Sequence, residues 1–272
     1  MPDLATLLPM IALLLAIGAF AGVIAGLLGV GGGIVLVPAF YYMFGHLGYA
    51  GPQLMQVCVA TSLATIMATS MRSVMAHHRK GAVDWGILRQ WGPWIVIGAV
   101  AGVFVAASLK STTLTAIFGI LAMIAGLYMA LGRDAWRVAP TMPGQPTRGI
   151  LATLIGFLSV LMGIGGGTFG VPMMTLYSMP IHRAIATASG FGMVIAVPSV
   201  IGFLLLPVGQ APPYTIGAVN IPAFLVVIAT TFLATPWGVR LAHAMNPKPL
   251  KRAFAVFLVL VALNMLRKVA GW

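Results

Sequence analysis

The residues in this sequence best suited to hold a ligand are glycines. Gly29-Val30-Gly31-Gly32-Gly33-Ile34-Val35-Leu36-Val37-Pro38 is written a second time as Gly163-Ile164-Gly165-Gly166-Gly167-Thr168-Phe169-Gly170-Val171-Pro172. Glycine costs a helix about 1 kcal/mol relative to alanine. A triplet repeated inside apolar sequence therefore marks a place where the backbone breaks or approaches something closely. A helix restarting after Gly33 or Gly167 presents amides without intrahelical acceptors, and its amino end carries roughly half a unit of positive charge. Two such ends at one point make an anion pocket, with no Cβ between ligand and amide. Gly31, Gly32, Gly33, Ile34, Gly165, Gly166, Gly167 and Thr168 are thus the first candidate substrate-binding residues. The competing explanation is close helix packing through small residues. The Val-Pro pairs at 37–38 and 171–172 are expected to add further breaks, which packing alone does not need.

Hydroxyls follow each motif at matching places, Thr61 and Ser62 in the first half and Thr187 and Ser189 in the second. Neutral donors suit an oxyanion that must be released again, although such hydroxyls also bond to carbonyls of their own helix. His182 and Arg183 precede the second Ala-Thr run, and Gln56 matches His182 at an offset of 126. These three are further candidates, with a loop anchor as the other reading of Arg183. His77 and His78 sit beside Arg79 and Lys80 and read as a helix end rather than a metal site. No metal or cofactor is expected. Cys58, the single cysteine, lies in an apolar run and reads as a packed thiol.

Composition sets the elements that must hold these residues. Of 272 residues, 60% are hydrophobic and 7% charged, against roughly 25% charged in soluble domains. Mean hydropathy is +1.05, and the chain reads as a polytopic membrane protein. There are 15 Lys and Arg against 3 acids. The surplus sits in short connections, as cytoplasmic loops require, and does not indicate nucleic acid. The acids are Asp3, Asp84 and Asp134, all at a terminus or beside charged loops, so a carboxylate proton relay through the core is not expected. Nor is an enzyme, which would need a catalytic constellation. Residues 1–22 lack the positive region of a signal peptide and read as a retained helix.

Apolar segments run at about 7–29, 33–44, 53–76, 91–109 and 113–131, then 149–163, 168–178, 184–206, 216–239 and 250–270. Residues 1–132 and 149–272 form two repeats, joined by a linker at 133–148 rich in Pro, Gly and Arg. With an offset of 134 the glycine motifs overlay. With 136, Gly81-Ala82-Val83-Asp84 overlays Gly217-Ala218-Val219-Asn220. The loop carrying Arg72, Arg79, Lys80 and Arg89 matches an uncharged loop at 207–214, so equivalent loops face opposite sides. The linker and loops 72–89 and 240–252 are then cytoplasmic, with Arg267 and Lys268 as outliers outside. Opposite orientation requires either five crossings per repeat or three crossings plus a re-entrant hairpin. Trp85, Trp91, Trp94, Trp136, Trp237 and Trp272 read mostly as an interfacial belt. The expected fold is an all-α integral membrane protein of two inverted repeats, with broken or re-entrant helices at the glycine motifs.

The doubled motif, each copy followed by an Ala-Thr segment, together with the closing segments around Gly238 and 249–265, resembles the TauE/SafE family, also called the sulfite exporter or TSUP family. The resemblance covers nearly the whole chain. It implies transport of a small sulfur-containing anion such as sulfite, thiosulfate, sulfoacetate or another organosulfonate, often as export, across a bacterial-type inner membrane. The resulting expectation is a secondary transporter with alternating access at a midplane site, with an anion channel on the same pocket as the alternative. A proton or sodium coupling ion and a homodimer both remain open.

Overall fold

A computed structural model describes residues 4–132, 136–244 and 248–271, without the side chains of 4–7 and 248–251. Asp3, Arg133, Asp134 and Trp272, and the side chains of Lys248 and Lys251, lie outside the described residues. The helices are α1 (Leu4–Leu28), α2 (Gly33–His46), α3 (Leu54–His78), α4 (Trp85–Ser108), α5 (Ser111–Leu131), α6 (Thr147–Met162), α7 (Gly167–Leu176), α8 (Ile181–Leu204), α9 (Ile221–Ala244) and α10 (Lys248–Val269). Six of them, α1, α3, α4, α5, α8 and α9, are long and apolar enough among the described residues to cross a membrane. The chain is an all-α, multi-pass membrane protein.

Four expectations need correction. The segment expected from 91 begins at Trp85, because Asp84 caps it by accepting the Ile87 amide at 3.1 Å. The segment expected from 216 begins at Ile221, because β1 (Thr215–Ile216) and β2 (Val219–Asn220) pair antiparallel just before it. The Val-Pro pairs do not break the chain, since α2 and α7 continue through Pro38 and Pro172. Each proline sits in the second helical turn and only removes one amide, leaving the carbonyls of Ile34 and Thr168 without their usual donor. Trp91 also departs from the belt: it is buried and stacked on Phe191, with centroids 6.3 Å apart.

Helix α1 lies along α9 and α6 along α4, while α3 pairs with α8 and α5 with α10. The first two contacts are backbone-close. A methyl on Gly22 or Gly26 of α1 would meet Thr231 or the Thr235 carbonyl, and one on Gly98 of α4 would meet the Thr153 carbonyl. Small residues replace the hydrophobic drive that lipid does not supply between helices.

Helix direction follows from these contacts. The Gly26 carbonyl of α1 accepts from His77 Nε2, at the far end of α3, at 3.1 Å. After the break, Gly33 faces Ser62 and Ile66, and Val37 lies beside Gly163, which itself abuts Val59. Thus α2 runs back antiparallel to α3, and α1–α2 forms a hairpin that turns inside the bundle. Residues 163–176 do the same against α8, with Gly166 beside Ile195 and Gly170 beside Ala188. Helix α2 ends near the 205–214 connection, where Gly51 meets Gln210 and Gln53 bonds to Pro207 and Gly209. Helix α7 ends at the linker, where the Val138 amide bonds to the Leu176 carbonyl. Lys268 lies over the Tyr42 ring, 4.3 Å from its centroid, which gives one of the two outlying cations an aromatic partner.

Candidate functional site

The two motifs meet. Gly29, Gly31 and Gly32 take φ of 68°, 80° and 76°, a region that glycine enters without penalty, and this lets the chain reverse between α1 and α2. Across the break the Gly165 amide donates to the Val30 carbonyl at 3.0 Å. A Cβ on Gly33 would strike the Gly163 carbonyl oxygen, and one on Gly167 would strike the Gly29 carbonyl oxygen. The motifs therefore cross through backbone, each using the glycine that corresponds to the other's. Residues 29–34 and 163–168 are all buried.

At this crossing the starts of α2 and α7 lie together with the ends of α1 and α6. The carbonyls of the helix ends are partly occupied: Val30 accepts from Gly165, and Gly163 accepts from Ser62 Oγ at 2.7 Å. Val35 and Leu36 donate to the Gly32 carbonyl and Gly170 to the Gly166 carbonyl, so the amides without an acceptor in their own helices are those of the opening residues, Gly33 and Ile34 in α2 and Gly167 and Thr168 in α7. Beside them Thr168, 4% exposed, has an Oγ1 that is buried and makes no hydrogen bond among the described residues. Its counterpart at an offset of 134 is Ile34. A buried hydroxyl without a partner is uncommon and has the capacity to meet an oxyanion.

The other candidates separate into distinct roles. Thr61 Oγ1 accepts the Asn220 amide at 2.9 Å, and Thr187 Oγ1 accepts the Asp84 amide at 3.0 Å. Asn220 and Asp84 in turn accept the amides of Ala223 and Ile87, starting α9 and α4. The same four-group arrangement thus occurs twice, tying the middle of α3 to α9 and the middle of α8 to α4. Thr61→Val or Thr187→Val leaves one amide in the tie without its acceptor, and each is expected to cost about 1–3 kcal/mol. Thermal unfolding in detergent checks this, and an unchanged midpoint would remove the tie.

Ser189 bonds to the Ala186 carbonyl of its own helix at 2.6 Å. Gln56 caps the end of α4, donating to the carbonyls of Ala106 at 3.2 Å and Leu109 at 2.5 Å. Arg183 is exposed and pairs with Asp84 at 3.0 Å, as a loop anchor would. His182 is exposed and stacks on His243, with centroids 6.1 Å apart. Of the sequence candidates, the glycines, Ile34, Thr168 and Ser62 come together at the crossing. Thr61 and Thr187 hold neighbouring helices, and Gln56, His182 and Arg183 lie toward the bundle's two ends.

One cluster escaped the sequence reading. His77 Nδ1 lies 3.2 Å from His243 Nε2, and its Nε2 faces the Gly26 carbonyl, so the ends of α3 and α9, the start of α8 and the end of α1 share one histidine group. The available signal was that all three histidines fall at segment ends assigned to one side.

A bundle of membrane-crossing helices with two broken segments meeting at its buried centre defines a polytopic membrane protein of the transporter type. The family model described as Sulfite exporter TauE/SafE matches residues 14–265, and the chain belongs to this family. A probable membrane transporter protein of Haemophilus influenzae is 33% identical over 95% of this chain and 98% of its own length. Relatives given the same description in Methanocaldococcus jannaschii and Bacillus subtilis are each 26% identical, over 93% of this chain and 94% and 96% of theirs. No solved structure matches the chain. The family is one of membrane transporters, a non-enzymatic class.

Proposed function

We propose that this protein is a secondary transporter, working as an exporter, of a small sulfur-containing anion such as sulfite, thiosulfate, sulfoacetate or another organosulfonate. The observation that carries the reading is the crossing itself: two helix starts at one buried point, with the unpartnered Thr168 hydroxyl beside them. Amides, the positive ends of two helix dipoles and a free hydroxyl favour an anion. Membership of a family described as sulfite exporters supports sulfite or a chemical relative.

Two repeats, 1–132 and 149–272, related by an inverted two-fold axis, account for the exchanged pairing of α1 with α9 and α6 with α4. They also account for the opposite courses of α2 and α7. Each repeat then makes three crossings and a re-entrant hairpin. The end carrying Arg79, Lys80, Arg148 and Arg183 is cytoplasmic by its positive charge, in a bacterial-type inner membrane. Burial of the centre favours alternating access over an open channel. Efflux of an anion from a negative interior is electrically downhill, so a coupling ion is not required. If one is used, the carbonyls of Ile34 and Thr168 freed by the prolines suit sodium.

The test is flux from proteoliposomes loaded with sulfite, sulfate, thiosulfate, sulfoacetate or taurine. Saturable efflux of at least one sulfur oxyanion is expected. No flux of any of them, and no thermal protection by any, would end the anion reading. Unitary currents would convert the carrier into a channel.

A further inference from the structure

Helices α4 and α6 leave between them, at the linker end, a groove of about 530 Å³, within the roughly 300–1,000 Å³ of small-molecule sites. Its wall is apolar, formed by Trp94 of α4 and by Ile150, Leu154 and Phe157 of α6, with Gln145 and Thr153 contributing the polar edge. Ile150 and Leu154 are exposed on the outer face, so in a membrane the groove opens to lipid.

Arg148 stands at the first turn of α6, beside Gly149 in the groove wall. Its Nη1 donates to Gln90 Oε1 at 2.6 Å, which fixes the guanidinium, while its Nε is buried and without an acceptor among the described residues. The residue as a whole is only partly buried, and no carboxylate of the described residues pairs with it, so its charge is open to an anion from outside the chain. The one described carboxylate, Asp84, is already shared between Arg183 and the α4 cap. Arg89, exposed and adjacent to Gln90, adds positive charge to the same end of α4.

We propose that this groove binds one phospholipid with an anionic headgroup. An acyl chain lies along Ile150, Leu154, Phe157 and Trp94, and the phosphate accepts from Arg148. A phospholipid joins an apolar chain and an anion in one molecule at this depth, and basic pockets between membrane helices on the cytoplasmic side are suited to such headgroups. The site is separate from the central crossing and does not depend on which anion is transported.

Native mass spectrometry of the full chain in detergent, with equimolar phosphatidylglycerol and phosphatidylethanolamine of the same acyl composition, tests the proposal. The parent is expected to retain one phosphatidylglycerol in preference to phosphatidylethanolamine. Arg148→Gln keeps a side chain able to meet Gln90 and is expected to reduce that preference roughly tenfold or more. Thr153→Trp fills the groove and is expected to lose both lipids. Equal retention of the two lipids by the parent, or an unaltered preference in Arg148→Gln, overturns the proposal. So does a dimer whose copies cross-link through cysteines introduced at Ile150, because a second copy would then occupy the groove.

Discussion

Thr168→Val is expected to reduce anion transport by roughly ten- to a hundredfold while leaving the thermal unfolding midpoint at or slightly above that of the parent. The two halves of this expectation come from one atom. Thr168 Oγ1 makes no hydrogen bond among the described residues, so removing it breaks nothing in the folded chain. A buried hydroxyl without a partner is itself unfavourable, and valine keeps the shape of the side chain. If the hydroxyl meets a charged ligand, the lost interaction is worth about 1.5–3 kcal/mol, with every 1.4 kcal/mol a factor of ten in affinity. Thr168→Ser keeps the oxygen and is expected to retain most of the flux. Both variants belong in the proteoliposome assay beside a melting curve in detergent. Parent-like flux in the valine variant would mean that no ligand uses this hydroxyl, and the centre would revert to a packing contact.

The glycine motifs were legible because their signal is compositional: no ordinary helix repeats a triplet of its poorest residue after proline. The ten segments were legible for the same reason, and most of their bounds fall within two or three residues of the helices. The larger misses have local causes. The second turn of α4 carries Arg89 and Gln90, so hydropathy placed its start too late, although Asp84 was available as a cap. The start of α9 was hidden because Ile216-Gly217-Ala218-Val219, the inner part of the hairpin, extends the apolar run of the helix it precedes. The prolines misled in another way. Proline breaks a helix by removing an amide and crowding the preceding turn, and so early in α2 and α7 the helix has few bonds to lose. The hydroxyls are a different case, since their spacing said that they matter but not to what. Thr61 finds its amide 159 residues away and Thr187 finds its own 103 residues away. The match of residues 81–84 with 217–220 was in fact the trace of those two ties. No sequence pattern isolates the Thr168 hydroxyl, because its distinction is that nothing in the chain reaches it.

Gly167→Ala is the counterpart experiment, and it is expected to fail in a different way, losing stability and transport together. A Cβ at this position points into the Gly29 carbonyl oxygen and would lie 2.7 Å from the Val30 Cα. Both obstacles are backbone, which cannot rotate aside as a side chain can, so the starts of α2 and α7 must separate. Overpacking of this kind costs about 1–3 kcal/mol or more, and it displaces the amides from their common point. Gly33→Ala, blocked by the Gly163 carbonyl, is expected to do the same from the other side. Gly45→Ala supplies the control, because nothing lies within 4 Å of its would-be Cβ. There the gain in helix propensity, up to about 1 kcal/mol, is expected to leave flux unchanged. Melting curves and flux on the three variants decide the matter: a Gly167→Ala protein as stable as the parent would refute the backbone crossing. Set beside Thr168→Val, the pair assigns the two explanations of the motif to different atoms. The missing Cβ atoms let the helices cross, and the amides and one hydroxyl at the crossing are the groups we propose to hold an anion.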